Sequence, residues 1–200
     1  PQYRLPKGLL ESETEVITEL GGQYFYRQRL GYDFSITDLF NRGYNAIFIG
    51  VGCSKGMYLG LENEDTTLAG YFNGIDFLHK VERSVSGHKP MTLKGDVVVV
   101  GGGNVAMDCA RSAARMTDGT VHVIYRRTEE GMPADHEEVL AAKAEGIQFH
   151  FLSVQKEILS ENGQVTGLKI AKMREEKVPG AKRGKLIEIE GTDTVIACDT

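Results

Sequence analysis

The spacing of apolar residues changes character near residue 95. From Val97 onward, short apolar runs alternate with segments in which apolar residues recur every three or four positions. Such runs predict strands, and such spacing predicts helices. The predicted order is a strand over 97–100, a helix over 104–116, a strand over 121–125, a helix over 134–145 and a strand over 147–152. Strands that alternate with helices predict an α/β fold with a doubly wound parallel sheet.

The C-terminal pattern is different, because its apolar runs follow one another without intervening helices. Three β-runs cover 154–159, 165–173 and 185–189, and a Glu-Asn-Gly turn joins the first two. Consecutive strands joined by short turns predict an antiparallel β-meander. The run 194–197 has the pattern of a strand that has just begun, so we expect the chain to be a piece of a longer protein.

The N-terminal third carries capping signals and one continuous apolar run. Ser12 and Ser35 each begin a capping-box pattern, and Asn73 is a further helix cap. The predicted elements are a helix over 12–21, a strand over 23–26, a helix over 35–43, a strand over 44–51 and a helix over 73–81. The run 44–51 predicts a parallel strand buried on both faces, ended by Gly50 and Gly52, where a ligand could approach the backbone.

Composition and charge narrow the function classes. The net charge is −5 and the basic residues are scattered, which argues against a nucleic-acid partner. The longest apolar run, 46–51, is much shorter than a membrane span, so we expect no membrane partner. The three cysteines are far apart, which favours neither disulfides nor a metal site, and a reducing cytoplasm fits this usage.

A glycine-rich turn carries the clearest chemistry. Gly101, Gly102, Gly103, Asn104 and Val105 follow a four-valine run, open a helix and, with the alanine that follows, match G-x-G-x-x-A. Gly101 allows the tight turn, and Gly103 lets the backbone approach a diphosphate. The free amides and the positive dipole end of the helix would then bind the phosphates. The alternative is a glycine turn without a ligand.

The residues at the end of the second predicted strand indicate whether a bound dinucleotide would be NAD or NADP. NAD-binding sheets carry an acidic residue there for the ribose hydroxyls, whereas this chain has Arg126 and Arg127. Guanidinium groups would bind a 2′-phosphate, and one contact of about 2 kcal/mol would favour NADPH over NADH about thirtyfold. The alternative is that the arginines pair with Glu129 and Glu130 and that the cofactor is NADH.

Other reactive residue types have simpler explanations. His122 and His150 alternate along strands as sheet-face residues do, and Cys109 lies on a helix as a small buried residue would. We therefore predict no catalytic acid, base or nucleophile and no metal ligand in this chain.

Five segments of the chain resemble one family. They are 1–6, 44–52, 101–108, the Arg-Arg element at 125–128 with the Met-Pro-Ala element at 132–134, and 145–146, and the closing residues 190–191 and 199–200 extend the resemblance to the end of the chain. These segments are similar to the pyridine-nucleotide half of the glutamate synthase small-subunit family, which includes the flavin region of dihydropyrimidine dehydrogenase.

The resemblance implies a domain plan and a reaction. Residues 1–60 would be part of an FAD domain of Rossmann type, 70–192 the NAD(P)H-binding Rossmann domain, and 193–200 the start of the return strand to the FAD domain. Gly50 and Gly52 would lie near the flavin. The FAD fingerprint would precede Pro1, so FAD is expected in the full-length protein but not in this fragment.

The implied function is that of an NADPH-binding module in a flavoprotein oxidoreductase. Hydride would pass from NADPH to FAD, and the electrons would continue to iron-sulfur centres in a partner domain or subunit. Two alternatives stay open. One is an NADH-dependent version of the same module, and the other is a non-catalytic dinucleotide-binding or docking domain.

Overall fold

The computed structural model describes residues 1–53, 55–180 and 183–200. The chain divides into two compact units, Pro1–Cys53 and Ser54–Thr200. In the described ranges, no helix combines the length and the apolar character that a membrane span requires.

Two helices form the regular part of the first unit, α1 at Lys7–Glu19 and α2 at Ile36–Asn41. The capping box predicted at Ser35 is confirmed: its hydroxyl accepts from the Asp38 amide at 3.1 Å, and the Asp38 carboxylate accepts from the Ser35 amide at 2.8 Å. The helix start predicted at Ser12 is wrong. That hydroxyl donates to the carbonyl of Leu9 at 2.8 Å inside a helix that has already begun at Lys7.

The two strands predicted in the first unit do not form. Residues 23–26 and 44–51 have no strand assignment, and Phe48, predicted to be buried, is 95% exposed. A strand is stable only when a neighbouring strand accepts and donates its hydrogen bonds. Within this unit, the β-pairing consists of one isolated bridge between Leu30 and Phe34, so the apolar run has no strand to join.

The second unit contains a parallel sheet, which confirms the predicted α/β class. Its strands are β1 at Val97–Val100, β2 at Val121–Ile124 and β3 at Gln148–His150, in the order β1-β2-β3. The helices that alternate with them are α3 at Gly74–Val85, α4 at Asn104–Ala114 and α5 at His136–Ala144. The Ile75 amide donates to the Asn73 side chain at 3.1 Å, which confirms the predicted cap of α3.

The helices cover one face of this sheet. Met107, Ala110 and Ala113 are fully buried on α4, and they pack in one cluster with Phe77 of α3 and Val139 of α5. The spacing of three and six residues between the α4 positions places all three on one side of that helix. Burial of this stripe holds α4 against the sheet, so its first turn stands directly after β1.

An antiparallel sheet covers the other face, which confirms the predicted meander. Its strands are β4 at Ser153–Glu161, β5 at Gln164–Glu176, β6 at Lys185–Glu188 and β7 at Thr194–Ala197. β4, β5 and β6 follow one another, and β7 pairs antiparallel with β5. Ile124 of the parallel sheet packs with Ile158, Leu168 and Ile170 of the meander.

The last residues of the chain line the free edge of β1. The Val98 amide donates to the Thr200 carbonyl at 2.8 Å, and the Asp199 amide donates to the Asp96 carbonyl at 2.8 Å. In this structure, residues 194–200 therefore belong to the hydrogen-bonded framework of the second unit. Their predicted assignment to the FAD domain, and the boundaries 1–60, 70–192 and 193–200, stay predictions.

Candidate functional site

A glycine turn connects β1 to α4. Gly101 has φ of +143°, which a side chain would disfavour, and its amide donates to the Ile124 carbonyl at 3.0 Å. A Cβ on Gly101 would lie 3.3 Å from the Cβ of Ala106, so both small residues are needed for the turn to close against the helix. The strand, turn and helix that the motif requires are all present.

The first turn of α4 is open for an anion. Gly103 is the helix cap, and no side chain of residues 1–53, 55–180 and 183–200 caps the amides that follow it. Beside the Cβ position of Gly103, the nearest atom is the Cγ of Pro133 at 3.9 Å. Unpaired amides, a favourable dipole and room next to the backbone fit a diphosphate. The predicted residues Gly101 to Val105 lie together at this one turn.

Gly102 has a structural reason of its own to be glycine. A Cβ there would lie 2.5 Å from two atoms of the Tyr125 ring. Tyr125 is buried, and its hydroxyl donates to the Gly131 carbonyl at 2.7 Å, so the ring has little freedom to move. The Tyr125 ring therefore packs directly against the turn at Gly102, a contact that the sequence motif did not predict.

The segment after the arginine pair is fastened to the same turn. The Asn104 side chain donates to the Asp135 carboxylate at 3.1 Å and accepts from the Asp135 amide at 2.9 Å. The Ala134 amide donates to the Gly102 carbonyl at 3.1 Å. The Asn104 side chain therefore binds Asp135, while the backbone amide of Asn104 remains available for a ligand. Sequence analysis missed Asp135, and no local pattern indicates a contact across 31 residues.

The two arginines have different environments. The Arg127 side chain is 14% exposed, and its guanidinium pairs with Glu175 and donates to the Gly184 carbonyl at 3.1 Å. Arg126 is exposed, and it makes no hydrogen bond or ion pair to the described residues. Arg127 pairs with Glu175 rather than with Glu129 or Glu130, so the predicted alternative pairing is wrong for this residue.

An ion-pair network joins α4 to α5 on the side of α4 that faces away from α3. Arg111 bonds Glu138 at 2.6 Å and Glu145 at 2.7 Å, and Arg115 bonds Glu145 at 2.8 Å. The bonds from Arg115 and Arg111 lower the pKa of the Glu145 carboxyl to about 2. This network fixes the two helices that carry the residues around the glycine turn.

The reactive side chains singled out in the sequence lie inside the fold: Cys109 is buried, and His122 and His150 are partly buried. Burial raises the pKa of the Cys109 thiol to about 12, which keeps it protonated at neutral pH. His122 Nδ1 lies 3.0 Å from His150 Nε2 on adjacent strands, and burial lowers the pKa of both rings. The described residues contain no cluster of three or more His, Cys, Asp or Glu side chains suited to a metal ion.

Gly50 and Gly52 lie in the first unit. Gly52 has φ of +67°, a conformation that favours glycine, while Phe48 places its ring near the Cβ position of Gly50. Their predicted position beside a flavin stays a prediction.

Curated relatives cover the whole chain. The chain is 38% identical over 200 residues to the beta subunit of NADP(+)-dependent formate dehydrogenase from Moorella thermoacetica, and it spans 28% of that protein. It is 35% identical to the beta subunit of NADPH-Fe(3+) oxidoreductase from Geobacter sulfurreducens, with 29% of that protein covered. It is 32% identical to the small chain of glutamate synthase [NADPH] from Escherichia coli, with 43% covered. The predicted resemblance to the glutamate synthase small subunit is confirmed.

Solved structures confirm the fold. FprA from Mycobacterium tuberculosis superimposes with a TM-score of 0.76 at 16% identity, over 100% of this chain and 58% of that one. The family model described as pyridine nucleotide-disulphide oxidoreductase matches residues 11–197. The predicted class, an oxidoreductase that uses a pyridine nucleotide, is confirmed, and the chain belongs to the pyridine nucleotide-disulphide oxidoreductase family.

Proposed function

We propose that the chain is the NADPH-binding module of a larger flavoprotein oxidoreductase. The observation that carries this proposal is the open first turn of α4 at Gly103, with an exposed Arg126, unpaired among the described residues, at the end of the neighbouring strand. Several relatives are named for NADPH or NADP(+), which supports the same cofactor here. The chain spans 28 to 43% of those relatives, so the activity of the whole protein is part of the proposal.

Backbone groups would bind the diphosphate. The amides of Asn104 and Val105 have no capping side chain, and Gly101, Gly102 and Gly103 leave the approach open. Because backbone donors are fixed by the turn, their orientation costs little when the ligand binds. The two dinucleotides share this diphosphate, so these contacts supply affinity without selecting between them.

Selection for the 2′-phosphate would come mainly from Arg126. A charge-assisted hydrogen bond to a phosphate is worth about 1.5–3 kcal/mol, and exposure to solvent places this one near the lower half of that range. About 2 kcal/mol corresponds to about a thirtyfold preference for NADPH over NADH. Arg127, held by Glu175, would position the end of β2 rather than bind the phosphate directly.

The domain plan gives the module its role. Residues 1–60 would contribute to an FAD domain, with Gly50 and Gly52 near the flavin, 70–192 would form the nicotinamide module, and 193–200 would lead back to the FAD domain. When bound, NADPH supplies a hydride for FAD, and the electrons would go on to iron-sulfur centres of a partner domain or subunit. This chain would bind and orient the nucleotide, with no acid or base of its own. The free thiols fit a cytoplasmic protein.

One observation favours an NADH-dependent version as the second candidate. The pairing of Arg127 with Glu175 removes one of the two guanidiniums from direct phosphate binding. If Arg126 alone selects too weakly, the module would accept both dinucleotides with similar affinity.

Titration of the purified protein with NADPH and with NADH separates the two candidates. We expect Arg126→Glu to weaken NADPH binding at least thirtyfold and NADH binding less than about threefold, because charge reversal repels the 2′-phosphate alone. Lys89→Glu, an exposed charge reversal on another surface, is the matched control and leaves both affinities unchanged. Equal wild-type affinities that Arg126→Glu does not alter would refute NADPH selection, and failure of both dinucleotides to bind would refute the module itself.

A further inference from the structure

Two histidine side chains meet on the face of the parallel sheet that the meander covers. His122 of β2 lies two residues before Ile124, whose side chain packs against the meander, and His150 of β3 is the register partner of Ile124. Alternate residues of a strand share a face, so both rings point toward the meander. The His122 Nδ1 lies 3.0 Å from the His150 Nε2, and the ring centroids are 5.2 Å apart. This histidine pair lies outside the nucleotide contacts proposed above.

The hydrogen bond of the histidine pair limits the number of protons that the pair can hold. At this distance between the nitrogens, one ring donates its N–H and the other accepts with a lone pair. The bond therefore exists while at least one ring is neutral, and it is lost when both rings are charged, because both nitrogens then carry a hydrogen. A second proton also places two positive charges side by side, which disfavours it further.

The surroundings of the pair favour neutral rings. Both rings are partly buried, and burial lowers the pKa of each. Asp96, just before β1, favours a charge on His122, whereas His122 itself and Lys172 of β5 disfavour a charge on His150. The meander strand β4 contributes Ser153, whose neutral hydroxyl accepts from the Lys172 ammonium at 3.2 Å. The pair is therefore largely neutral at pH 7, and its second proton is the harder one to add.

The connection that follows His150 holds the end of β2. The Tyr125 amide donates to the His150 carbonyl at 3.0 Å, and the Leu152 amide donates to the Arg127 carbonyl at 3.0 Å. Leu152 has φ of +47°, a left-handed conformation that is strained for a residue other than glycine. This strained connection therefore joins the histidine pair to the backbone on either side of Arg126.

The position of that backbone matters for the nucleotide site. The Tyr125 ring packs against the turn at Gly102, and Arg126 is the side chain proposed to bind the 2′-phosphate. When both rings of the pair are charged they separate, and the strained connection after His150 is free to shift with them. We infer that His122 and His150 are positioning residues that make nucleotide binding sensitive to pH, because the paired rings keep the end of β2 in its binding position and protonation releases it. The inference rests on the proposed function.

The test compares the pH dependence of binding between variants of the full-length protein with its cofactors. Affinity for NADP+ is measured by isothermal titration calorimetry at about pH 7.5 and about pH 5.5, on either side of the range in which histidine titrates. A phosphate monoester gains a proton near about pH 6, so acid weakens binding in every variant, and the difference between variants reports on the pair. The variants are His122→Gln and His150→Gln, whose amides form hydrogen bonds without titrating. The matched control is His88→Gln, which removes an exposed histidine after α3.

We expect acid to weaken NADP+ binding by wild type at least threefold more than binding by either glutamine variant of the pair, and the control to match wild type. The sign follows from linkage, since protons that bind after the rings separate favour the arrangement that binds nucleotide less well. Thermal unfolding at pH 7.5 identifies a variant that fails to fold, and the other variant then decides.

Equal pH profiles for wild type and the folded variants overturn the inference and leave the proposed function standing. A variant that binds NADP+ more weakly at pH 7.5 but keeps the wild-type profile also overturns the inference, since the histidines would then have a structural role alone. If NADP+ does not bind the wild-type protein at pH 7.5, the proposed function fails, and the inference fails with it.

Discussion

Alanine at two adjacent positions of the glycine turn should separate stability from binding. In Gly102→Ala the new Cβ would lie 2.5 Å from two atoms of the Tyr125 ring, whereas in Gly103→Ala it would meet only Pro133 Cγ at 3.9 Å. The first distance is well inside van der Waals contact, and the second is an ordinary contact. The same chemical change therefore strains the fold at one residue and not at the next.

The cost of Gly102→Ala follows from the ring that has to move. Tyr125 is buried and bonded to the Gly131 carbonyl at 2.7 Å, so a shift of the ring strains its packing and weakens that bond. Overpacking of this kind costs about 1–3 kcal/mol, which for a chain of this size lowers the melting temperature by about 2–12 °C. In Gly103→Ala the weaker helix cap destabilises the fold by about 0.5–1 kcal/mol, and the less flexible unfolded chain stabilises it by about the same amount. We expect its melting temperature to change by less than about 2 °C.

Of the two variants, the stable Gly103→Ala is the one in which we expect nucleotide binding to be lost. The Cβ of Gly103→Ala would occupy the space through which a diphosphate approaches the amides of Asn104 and Val105. We expect NADPH affinity to fall at least tenfold in this stable variant. Thermal unfolding followed by circular dichroism measures the first effect, and titration with NADPH measures the second. A Gly103→Ala variant that folds normally and binds NADPH like wild type would refute the diphosphate site at this turn.

Two further predictions concern the contacts that hold the turn. The pKa of Glu145 is lowered from 4.5 to about 2 by Arg115 and Arg111, so its contribution is full above pH 4.5 and is lost as the pH falls toward 2. This lowering of the pKa sets an upper bound of about 3 kcal/mol on the contribution to stability, which solvent around Arg115 reduces to about 1–2 kcal/mol. Glu145→Gln should therefore lower the melting temperature by about 2–8 °C at pH 7 and have little effect at pH 2, a difference that scanning calorimetry at both pH values would detect. Asn104→Ala should weaken NADPH binding several-fold, because it leaves the Asp135 carboxylate without its partner near the phosphates, and Asp135→Asn should not, as paired titrations would show.

The parts of the fold that follow from local pattern were predicted well. The alternation of runs after Val97 gave the parallel sheet and its helices, and the Asn-Gly turn at 162–163 gave the meander hairpin. The run 44–51 failed for a physical reason. Its apolar residues show that it suits a buried strand, but a strand exists only with a hydrogen-bonded neighbour, and the first unit supplies none. The apolar pattern shows which structure a segment prefers, and a hydrogen-bonded neighbouring strand decides whether that structure forms.

The candidate site likewise has a part that the sequence motif predicts and a part that depends on contacts distant in sequence. The diphosphate contacts depend on backbone amides, whose direction is set by Gly101 and by the start of α4, so a motif of six residues is enough to locate them. The 2′-phosphate contact depends on a side chain, and a side chain can be captured by any partner that the fold brings close. Arg126 and Arg127 are indistinguishable in sequence, yet Glu175, 48 residues away, holds one and leaves the other exposed. Since that pairing comes from β5, selectivity for the phosphorylated ribose would depend on the meander as well as on the nucleotide-binding half of the unit. Glu175→Gln removes the ion pair of Arg127 and leaves its bond to the Gly184 carbonyl, so we expect titration to show a gain in NADPH affinity without any alteration at the glycine turn.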